Sequence, residues 1–497
     1  MATSLLTTGD GKDEVDGIFP RRRPSTFSYY EIEDSVANFD SATSKEDFAL
    51  HYAVFQGDLN AVQKLITKDN KDSLDTHGNT PLHIAIMKGY TEIIDLLLKH
   101  NVAVKIKNCD GWLPLDEAIS YGKRETIAAV LKKFREQYVD GLVSRKKDLM
   151  SNLNELGDFY AELKWEFHTW VPFLSRLLPS DLCKIHKCGE KIRVDCTLMD
   201  FNEMSWQRGD LSFVFNGEDQ NNAKNFIMTI MDNKKREFQK IKLFGAENVD
   251  VDLDEQIDLL MSRPVVYANM STKPIKVSRA QSGFLFFRSD KVETVGEYEA
   301  QVYDISDLIL LSRKRTEHLS SEDKQQHEHM RKKLEAGDLS SKDLEQSFQS
   351  DEVKEVRKSL SPPPQSTVTW DDYISGYESA DKRRRVHPGR PIEYHEERRT
   401  YKASTAIADS CLLDVSKLLD ILEVIVPYKH FQKLRDFINL KLLPDRGFPV
   451  KLNVPVFPTV TAIVTLESFQ AQQTSAEKFL VPRDYKKFDI KAALKKK

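Results

Sequence analysis

The spacing of hydrophobic positions changes along the 497-residue chain, and each change predicts a different kind of structure. From about residue 48 to residue 163, apolar side chains recur every three or four positions, which is the spacing of one helix face. From Ile192 to Tyr303 they alternate with polar residues, which is the period of half-buried strands. Residues 312–364 are rich in charge, and Phe348 is their only aromatic residue. The pattern predicts helices, then a sheet, then a long polar segment.

The helical part contains an internal repeat. Residues 78–85 recur as residues 111–118 with an offset of 33, and residues 48–53 are a weaker copy. Each pair of short helices has an apolar face that it cannot bury alone, so the units must stack. We predict three repeats over residues 45–135, followed by a helical connector over residues 136–163.

The central unit carries the start and stop signals of its first helix. Thr80 can cap free backbone N–H groups, Pro81 fits the first helical position, and Gly89 fits the left-handed residue that ends a helix. Thr80-Pro-Leu-His-x-Ala85 is the complete ankyrin signature, in which His83 normally bonds within the loop. Ankyrin repeats are a binding scaffold, so this part of the chain predicts interaction and not catalysis.

The alternating part predicts an antiparallel sheet. Residues 226–232 and 236–243 flank Asn233–Lys235 as a hairpin would, and Phe448–Phe469 is β-branched and returns to the same sheet. Residues 312–400 then form a disordered insert within one domain spanning 164–475. The predicted fold class is α+β multidomain: an N-terminal ankyrin-repeat α-solenoid, then a β-rich antiparallel-sheet domain with amphipathic helices and a long polar insert.

Composition narrows the classes of function. The net charge of −4 argues against a nucleic-acid partner. Residues 1–44 are polar, predict disorder, and lack the charged-then-apolar pattern of a secretion signal. The longest apolar run near the C-terminus, Val454–Val464, is about half a membrane span, so we expect no transmembrane helix. Five cysteines without a C-x-x-C pair indicate reduced thiols.

No arrangement of residues predicts an enzyme, a cofactor or a metal centre. Cys183, His186, Cys188 and Cys196 include zinc-ligand types but lack the tight pairs of zinc sites, so we interpret the cysteines as core residues and the histidine as a surface residue. His327-Glu-His329 does not match H-E-x-x-H. The tryptophans at 165, 170 and 206 could line a ligand site, although such residues more often belong to a core.

Two surfaces are candidates for binding. The first is formed by the loops of the repeats, where ankyrin stacks present their binding residues. Its candidate partner-binding residues are Asp75, His77, Asn79, Asn108, Asp110 and Trp112. The second is the basic tail, residues 476–497, whose lysines would attract anionic lipid at about 1 kcal/mol each near a membrane. Its candidate membrane-contact residues are Lys486, Lys487, Lys491, Lys495, Lys496 and Lys497.

A solvated tail is the alternative to membrane contact. A third basic cluster, Lys382–Arg385, has the composition of a nuclear-import signal, but the acids around it favour a solvated loop.

Two long stretches resemble a known family. Residues 162–217 and 443–462, the second reading LPDRGFPVKLNVPVFPTVTA, are similar to the two ends of the GPCR-chaperone domain of the ankyrin-repeat-domain-13 family. One kind of member ends in ubiquitin-interacting helices, which need an acidic run. After Phe469 this chain has no acidic run and ends basic, so it resembles the C-type branch of the family.

The resemblance implies a non-enzymatic chaperone for newly synthesised G-protein-coupled receptors. It also implies peripheral attachment to the cytosolic face of the endoplasmic reticulum membrane, with receptor tails or loops as partners. Two alternatives remain open: a ubiquitin-linked endosomal adaptor for internalised receptors, and a lipid-binding module in which the β-rich domain encloses an apolar ligand.

Overall fold

We analysed a computed structural model of the chain. The described residues are 47–169, 178, 180–202, 205–217, 227–242, 253–271, 275–283, 288–336, 356–362, 366–375, 386–411, 413, 417–418, 447–457 and 460–488. Residues 45–497 form one compact unit, to which everything below refers. The predicted disordered segment, residues 1–44, lies outside the described residues.

Nine α-helices are described. They are α1 (Ala49–Gln56), α2 (Leu59–Leu65), α3 (Pro81–Lys88), α4 (Thr91–Lys99), α5 (Pro114–Tyr121), α6 (Arg124–Glu155), α7 (Leu253–Ser262), α8 (Ser321–Ala336) and α9 (Trp370–Ser375). The first six form three stacked pairs, which confirms the ankyrin prediction. The connector is not a separate helix, because α6 continues without a break from the third repeat to Glu155.

The repeat helices begin and end as their sequence predicts. The Thr80 hydroxyl accepts a hydrogen bond from the His83 N–H, and His83 Nδ1 accepts one from the Thr80 N–H at 3.1 Å. Gly57, Gly89 and Gly122 all have positive φ, between 65° and 76°, at the ends of α1, α3 and α5. A left-handed conformation ends a helix at least cost when the residue is glycine.

The strands fall into a large sheet and a small hairpin. They are β1 (Phe159–Thr169), β2 (Ser180–Cys188), β3 (Lys191–Asn202), β4 (Ser205–Asn216), β5 (Ile227–Asp232), β6 (Glu237–Lys242), β7 (Val265–Ser271), β8 (Lys276–Arg279), β9 (Gln281–Ser282), β10 (Ser289–Asp290), β11 (Val292–Val295), β12 (Tyr298–Arg315), β13 (Tyr394–Ala408), β14 (Phe448–Phe457), β15 (Val460–Gln470) and β16 (Lys486–Lys487).

The large sheet has the order β11-β12-β13-β14-β15-β1-β2-β3-β4-β5-β6-β16, and β7 and β8 also pair with β12. Neighbouring strands are antiparallel except β16, which runs parallel to β6. The predicted hairpin forms as β5 and β6, and the predicted return of Phe448–Phe469 forms as β14 and β15 between β13 and β1. The chain is therefore α+β, as predicted, and its sheet domain begins at Phe159.

The polar segment differs from the predicted disordered insert. Its described parts include the end of β12, helices α8 and α9, and the start of β13, and β12 lies directly beside β13. Residues 312–400 are thus an excursion between neighbouring strands. The physical reason for the added structure is that a few apolar residues, Trp370 and Tyr373 above all, are buried against the repeats. Because the rest of the segment is polar, these few residues hardly change its average composition.

Two main cores hold these layers. The first joins the repeats to α7, Trp370 and Tyr373, and the second lies on the sheet and includes Leu153 near the end of α6. Ile192 and Val194 of β3 are buried in the second core, as their alternation predicts. The amphipathic helices of the predicted fold class correspond to residues 412–440, most of which lie outside the described residues. Residues 284–287 of the predicted alternating stretch also lie outside them.

Candidate binding surface

Two equivalent loops project from the repeats, and we call residues 75–79 and 108–112 the finger loops. In the first, Asp75 Oδ1 accepts hydrogen bonds from the backbone N–H groups of His77 and Asn79, both at 2.8 Å. In the second, Asn108 Oδ1 accepts from the N–H groups of Asp110 and Trp112 at 3.1 and 2.9 Å. A short side chain that bonds its own backbone fixes the turn, so the 33-residue repeat preserves the loop shape.

Hydrogen bonds also connect the finger loops to each other. Asn108 Nδ2 donates to Asn79 Oδ1 at 2.9 Å, and His83 Nε2 donates to the Trp112 carbonyl at 3.1 Å. His83 is fully buried, and burial lowers its pKa, which keeps the ring neutral and its Nδ1 available as an acceptor. His83 therefore has the structural role that the ankyrin signature predicts.

A segment of the same chain covers the first finger loop. The Tyr373 hydroxyl of α9 donates to Asp75 Oδ2 at 2.5 Å and accepts from Asn79 Nδ2 at 2.8 Å. The Tyr373 ring stacks on His77, with ring centroids 4.5 Å apart, and the Tyr373 side chain is fully buried. Burial, together with the Asp75 carboxylate, raises the pKa of Tyr373 well above its ordinary value, so the phenol keeps its proton.

A buried ion cluster lies behind the second finger loop. Arg315 of β12 donates from Nη1 to Glu117 Oε1 at 2.8 Å and forms a 2.6 Å ion pair with Glu317, and its guanidinium lies 5.2 Å from the centre of the Trp112 ring. Glu117 and Arg315 are fully buried. Burial alone would raise the pKa of Glu117, but the Arg315 charge and His387 at 3.5 Å outweigh it and hold the pKa well below its usual range.

The six predicted partner-binding residues therefore lie on one continuous surface that already contacts the same chain. Asp75, His77, Asn79, Asn108 and Trp112 are buried, and Asp110 is half-buried. The Asp110 carbonyl accepts from Arg313 Nη1 at 2.8 Å. Their role in binding a partner stays a prediction. A partner that used this surface would have to replace contacts made by α9 and β12.

The basic tail is partly described. Lys486 and Lys487 are exposed, and they form β16 at the edge of the sheet, where the Lys486 N–H donates to the Arg236 carbonyl at 2.9 Å. This pairing places them beside the exposed turn that contains Lys234, Lys235 and Arg236. Lys491, Lys495, Lys496 and Lys497 lie outside the described residues, as do Lys382–Arg385.

The candidate zinc ligands divide into two groups. Cys183 Sγ and Cys196 Sγ lie 3.4 Å apart, and with Asp181 they form a cluster whose ligand atoms are within 4.8 Å of one another. Thr197 donates from its N–H to both carboxylate oxygens of Asp181, at 3.0 and 3.2 Å, and from Oγ1 to Oδ1 at 2.7 Å, so the carboxylate already has partners. His186 is buried, so the prediction of a surface histidine was wrong, and its ring faces Asp195 at 3.7 Å. This arrangement does not supply the four ligands of a closed zinc site.

Sequence reasoning missed the residues that cover the finger loops. Trp370 and Tyr373 carried a signal, since two aromatic residues three positions apart stand out within a polar segment. Glu117 carried another, because it takes the position that Ile84 holds in the preceding repeat, where the side chain is fully buried. A charge at such a position predicts a buried partner of opposite charge. Nothing in the local sequence identified Arg315 as that partner.

Comparisons with known proteins agree with this architecture. The family described as ankyrin repeats (3 copies) matches residues 50–140, and the family described as ANKRD13 C-terminal matches residues 193–496. The chain belongs to the ANKRD13 family.

Similar ANKRD13 proteins are found in several vertebrates. Ankyrin repeat domain-containing protein 13C of Mus musculus is 46% identical over 439 residues, which cover 88% of this chain and 77% of that protein. The protein of the same name from Homo sapiens is 44% identical over 447 residues, covering 90% of this chain and 79% of that protein. Ankyrin repeat domain-containing protein 13B of Homo sapiens is 33% identical over 431 residues, covering 84% and 67%.

The ANKRD13 assignment gives the first part of the chain a general role, because ankyrin repeats indicate protein–protein interaction. No helix in the described part of the chain combines the length and the apolar character needed to cross a membrane.

Proposed function

We propose that the chain is a non-enzymatic chaperone for newly synthesised G-protein-coupled receptors, acting at the cytosolic face of the endoplasmic reticulum membrane. The observation that carries the proposal is the similarity to 13C-type ANKRD13 proteins over about nine-tenths of the chain, together with the resemblance of residues 162–217 and 443–462 to a GPCR-chaperone domain. Ankyrin repeats and a broad sheet supply surfaces for a receptor tail or loop.

The edge of the sheet at β16 supports reversible contact with a membrane. Its residues 232–240 and 484–487 hold more basic than acidic side chains. The basic ones are Lys234, Lys235, Arg236, Lys240, Lys486 and Lys487, and the acidic ones are Asp232, Glu237 and Asp484. Each lysine near an anionic surface contributes about 1 kcal/mol. Attraction of this size gives peripheral attachment that salt weakens.

The first test is fractionation of cells that express the tagged full-length chain, followed by carbonate extraction of the microsomes. The expected result is recovery with endoplasmic reticulum microsomes and release by carbonate. Recovery with endosomes would favour the ubiquitin-linked adaptor, and a purely soluble distribution would contradict membrane attachment.

A second measurement tests the client directly. Receptors labelled during a short pulse are expected to co-precipitate with the chain, and the amount is expected to fall during a chase as the receptors leave the endoplasmic reticulum. Equal capture of newly made and surface receptors would contradict a role in biogenesis. Lipid that co-purifies with the chain in place of receptor would favour the lipid-binding module.

A further inference from the structure

Helix α9 sits on the repeats in the manner of a bound peptide. Its two aromatic side chains, Trp370 and Tyr373, are three positions apart and so lie on one face of the helix. They are 4% and 0% exposed. The Trp370 ring meets Tyr52 and Phe55 edge-on, each with a centroid distance of 5.4 Å, and the Tyr373 ring stacks on Phe55 at 5.4 Å. We call Tyr52, Phe55, Asp75, His77 and Asn79 the aromatic groove.

The first finger loop also binds the backbone of α9. Thr76 Oγ1 donates to the Ile374 carbonyl at 3.0 Å, and His77 Nε2 donates to the Tyr373 carbonyl. These are carbonyls of the last turn of the helix, which have no partner within it. The groove thus recognises two aromatic rings, one phenol hydroxyl and a helix end, all of which lie within a few consecutive residues.

The α9 segment contains the local signals for its own helix. Thr369 Oγ1 accepts from the Asp372 N–H at 3.2 Å and donates to Asp372 Oδ2 at 2.6 Å, which is an N-terminal cap. Asp371 and Asp372 are exposed, and Trp370 and Tyr373 face the groove. A short stretch that caps itself and presents its aromatic residues on one side has the composition of a transferable binding motif.

We propose that the aromatic groove is a recognition site for a short acidic helix of the pattern Thr-Trp-Asp-Asp-Tyr-Ile. Residues 366–375 occupy the groove within the chain, and a partner protein that carries the same pattern competes for it. The intramolecular ligand has a high effective concentration, so the apparent affinity for a partner is reduced by the fraction of molecules with an open groove. The groove shares Asp75, His77 and Asn79 with the predicted partner-binding residues, but its recognition of this helix does not require that the clients be receptors.

The test uses full-length protein and a fluorescent peptide of residues 366–375, followed by anisotropy. Tyr373→Phe in the protein removes the hydroxyl bonds to Asp75 and Asn79 and so opens the groove more often. It is expected to tighten the apparent affinity for the wild-type peptide about tenfold or more relative to wild-type protein. The matched control is Tyr485→Phe, which removes a hydroxyl bond to Asn233 far from the groove in sequence and is expected to leave peptide binding unchanged.

Two further variants test the recognised groups. Adding Thr76→Val to the Tyr373→Phe protein removes the donor to Ile374 and is expected to weaken peptide binding several-fold. A peptide that carries alanine in place of Trp370 is expected not to bind. Equal affinity of wild-type and Tyr373→Phe protein for the peptide would overturn the proposal, as would binding that ignores the Trp370 substitution.

Hydrogen exchange can be measured on the wild-type protein, so this test does not depend on the folding of any variant. Excess unlabelled peptide is expected to raise amide exchange across residues 370–375, because the displaced helix loses its contacts, and to leave β1 and β2 unchanged. No change in exchange at peptide saturation would overturn the proposal. If the Tyr373→Phe protein self-associates and the peptide blocks that association, the occupant of the groove is a second copy of the chain. That result would overturn the assignment of the groove to another protein.

Discussion

The hydroxyl of Tyr373 donates a hydrogen bond to the carboxylate of Asp75 over 2.5 Å, although 298 residues of sequence separate the two. The same carboxylate holds the first finger loop together through the N–H groups of His77 and Asn79. One buried acid therefore both shapes an ankyrin loop and fastens the polar segment onto it. Loss of the Tyr373 hydroxyl is therefore expected to destabilise both the first finger loop and helix α9.

Tyr373→Phe is expected to lower the free energy of unfolding by about 1–3 kcal/mol, because a buried carboxylate loses one partner and no water replaces it. Denaturant unfolding measures the change. The control Tyr485→Phe removes a hydroxyl bond of a half-buried ring to a neutral amide and is expected to cost about 1 kcal/mol or less. Equal losses in the two variants would show that the Asp75 contact adds nothing beyond an ordinary hydrogen bond.

Arg315→Met is expected to destabilise the protein by about 3–5 kcal/mol, because it leaves Glu117 and Glu317 as buried acids without their cation. Adding Glu117→Gln removes one of the two uncompensated charges and is expected to restore part of the loss. Arg331→Met is the control. Arg331 pairs with Glu328 at the surface of α8, where solvent screens the two charges, so its replacement is expected to cost far less than that of Arg315. A loss in the Arg315 variant as small as that of the control would contradict the buried-network interpretation.

Asp116 makes stability depend on pH. Burial raises its pKa from the ordinary 3.8 to about 6, against the lowering effects of its hydrogen bond from the Leu113 N–H and of Arg315. The folded state therefore binds the proton more tightly than the unfolded state. The stabilising effect of protonation is present in full below about pH 4 and is lost as the pH rises through about 6.

Asp116→Asn removes this titration and keeps an oxygen that can accept from Leu113. Relative to the variant, the wild-type protein is expected to lose about 1 kcal/mol of unfolding free energy between about pH 5 and pH 7.5. Thermal unfolding of both proteins at the two pH values measures the difference. The contributions of the other carboxylates to the pH dependence are the same in both proteins and therefore cancel. Parallel pH curves would show that Asp116 has an ordinary pKa.

Membrane contact through the β16 edge predicts a charge effect. Lys486→Glu together with Lys487→Glu is expected to weaken partition onto vesicles of phosphatidylserine and phosphatidylcholine about tenfold or more, since each lysine contributes about 1 kcal/mol. The pairing of β16 with β6 uses backbone groups, so the fold is expected to remain. Flotation with vesicles at low and physiological salt measures the partition.

Lys64→Glu with Lys68→Glu is the matched control, because both lysines are exposed and lie in the first repeat. This variant has the same net charge as the tail variant and is expected to keep the wild-type partition. A similar loss in both variants would indicate that net charge controls binding, and that the β16 edge has no special role.

The sequence by itself determined the local elements. Thr80, Pro81 and Gly89 act through neighbouring backbone groups, so the repeat, its helix ends and its loop shape follow from residues close together in the chain. The same holds for the hairpin of β5 and β6, whose alternating residues and turn lie within a short stretch. The long stretches that resemble the ANKRD13 family added the domain type, which the family comparison confirmed.

Only the tertiary structure decided what covers the finger loops. Asp75 and Trp112 look like exposed binding residues in the sequence, but in the fold they are buried beside Tyr373 and Arg315, which reach them from segments about 200 to 300 residues away. The average composition of residues 312–400 is polar and therefore predicts disorder. Two aromatic residues, Trp370 and Tyr373, hardly change that average, although they are buried against the repeats. Local signals act over a few residues, whereas burial and charge pairing depend on which distant surfaces fit together, and that fit is a property of the folded chain.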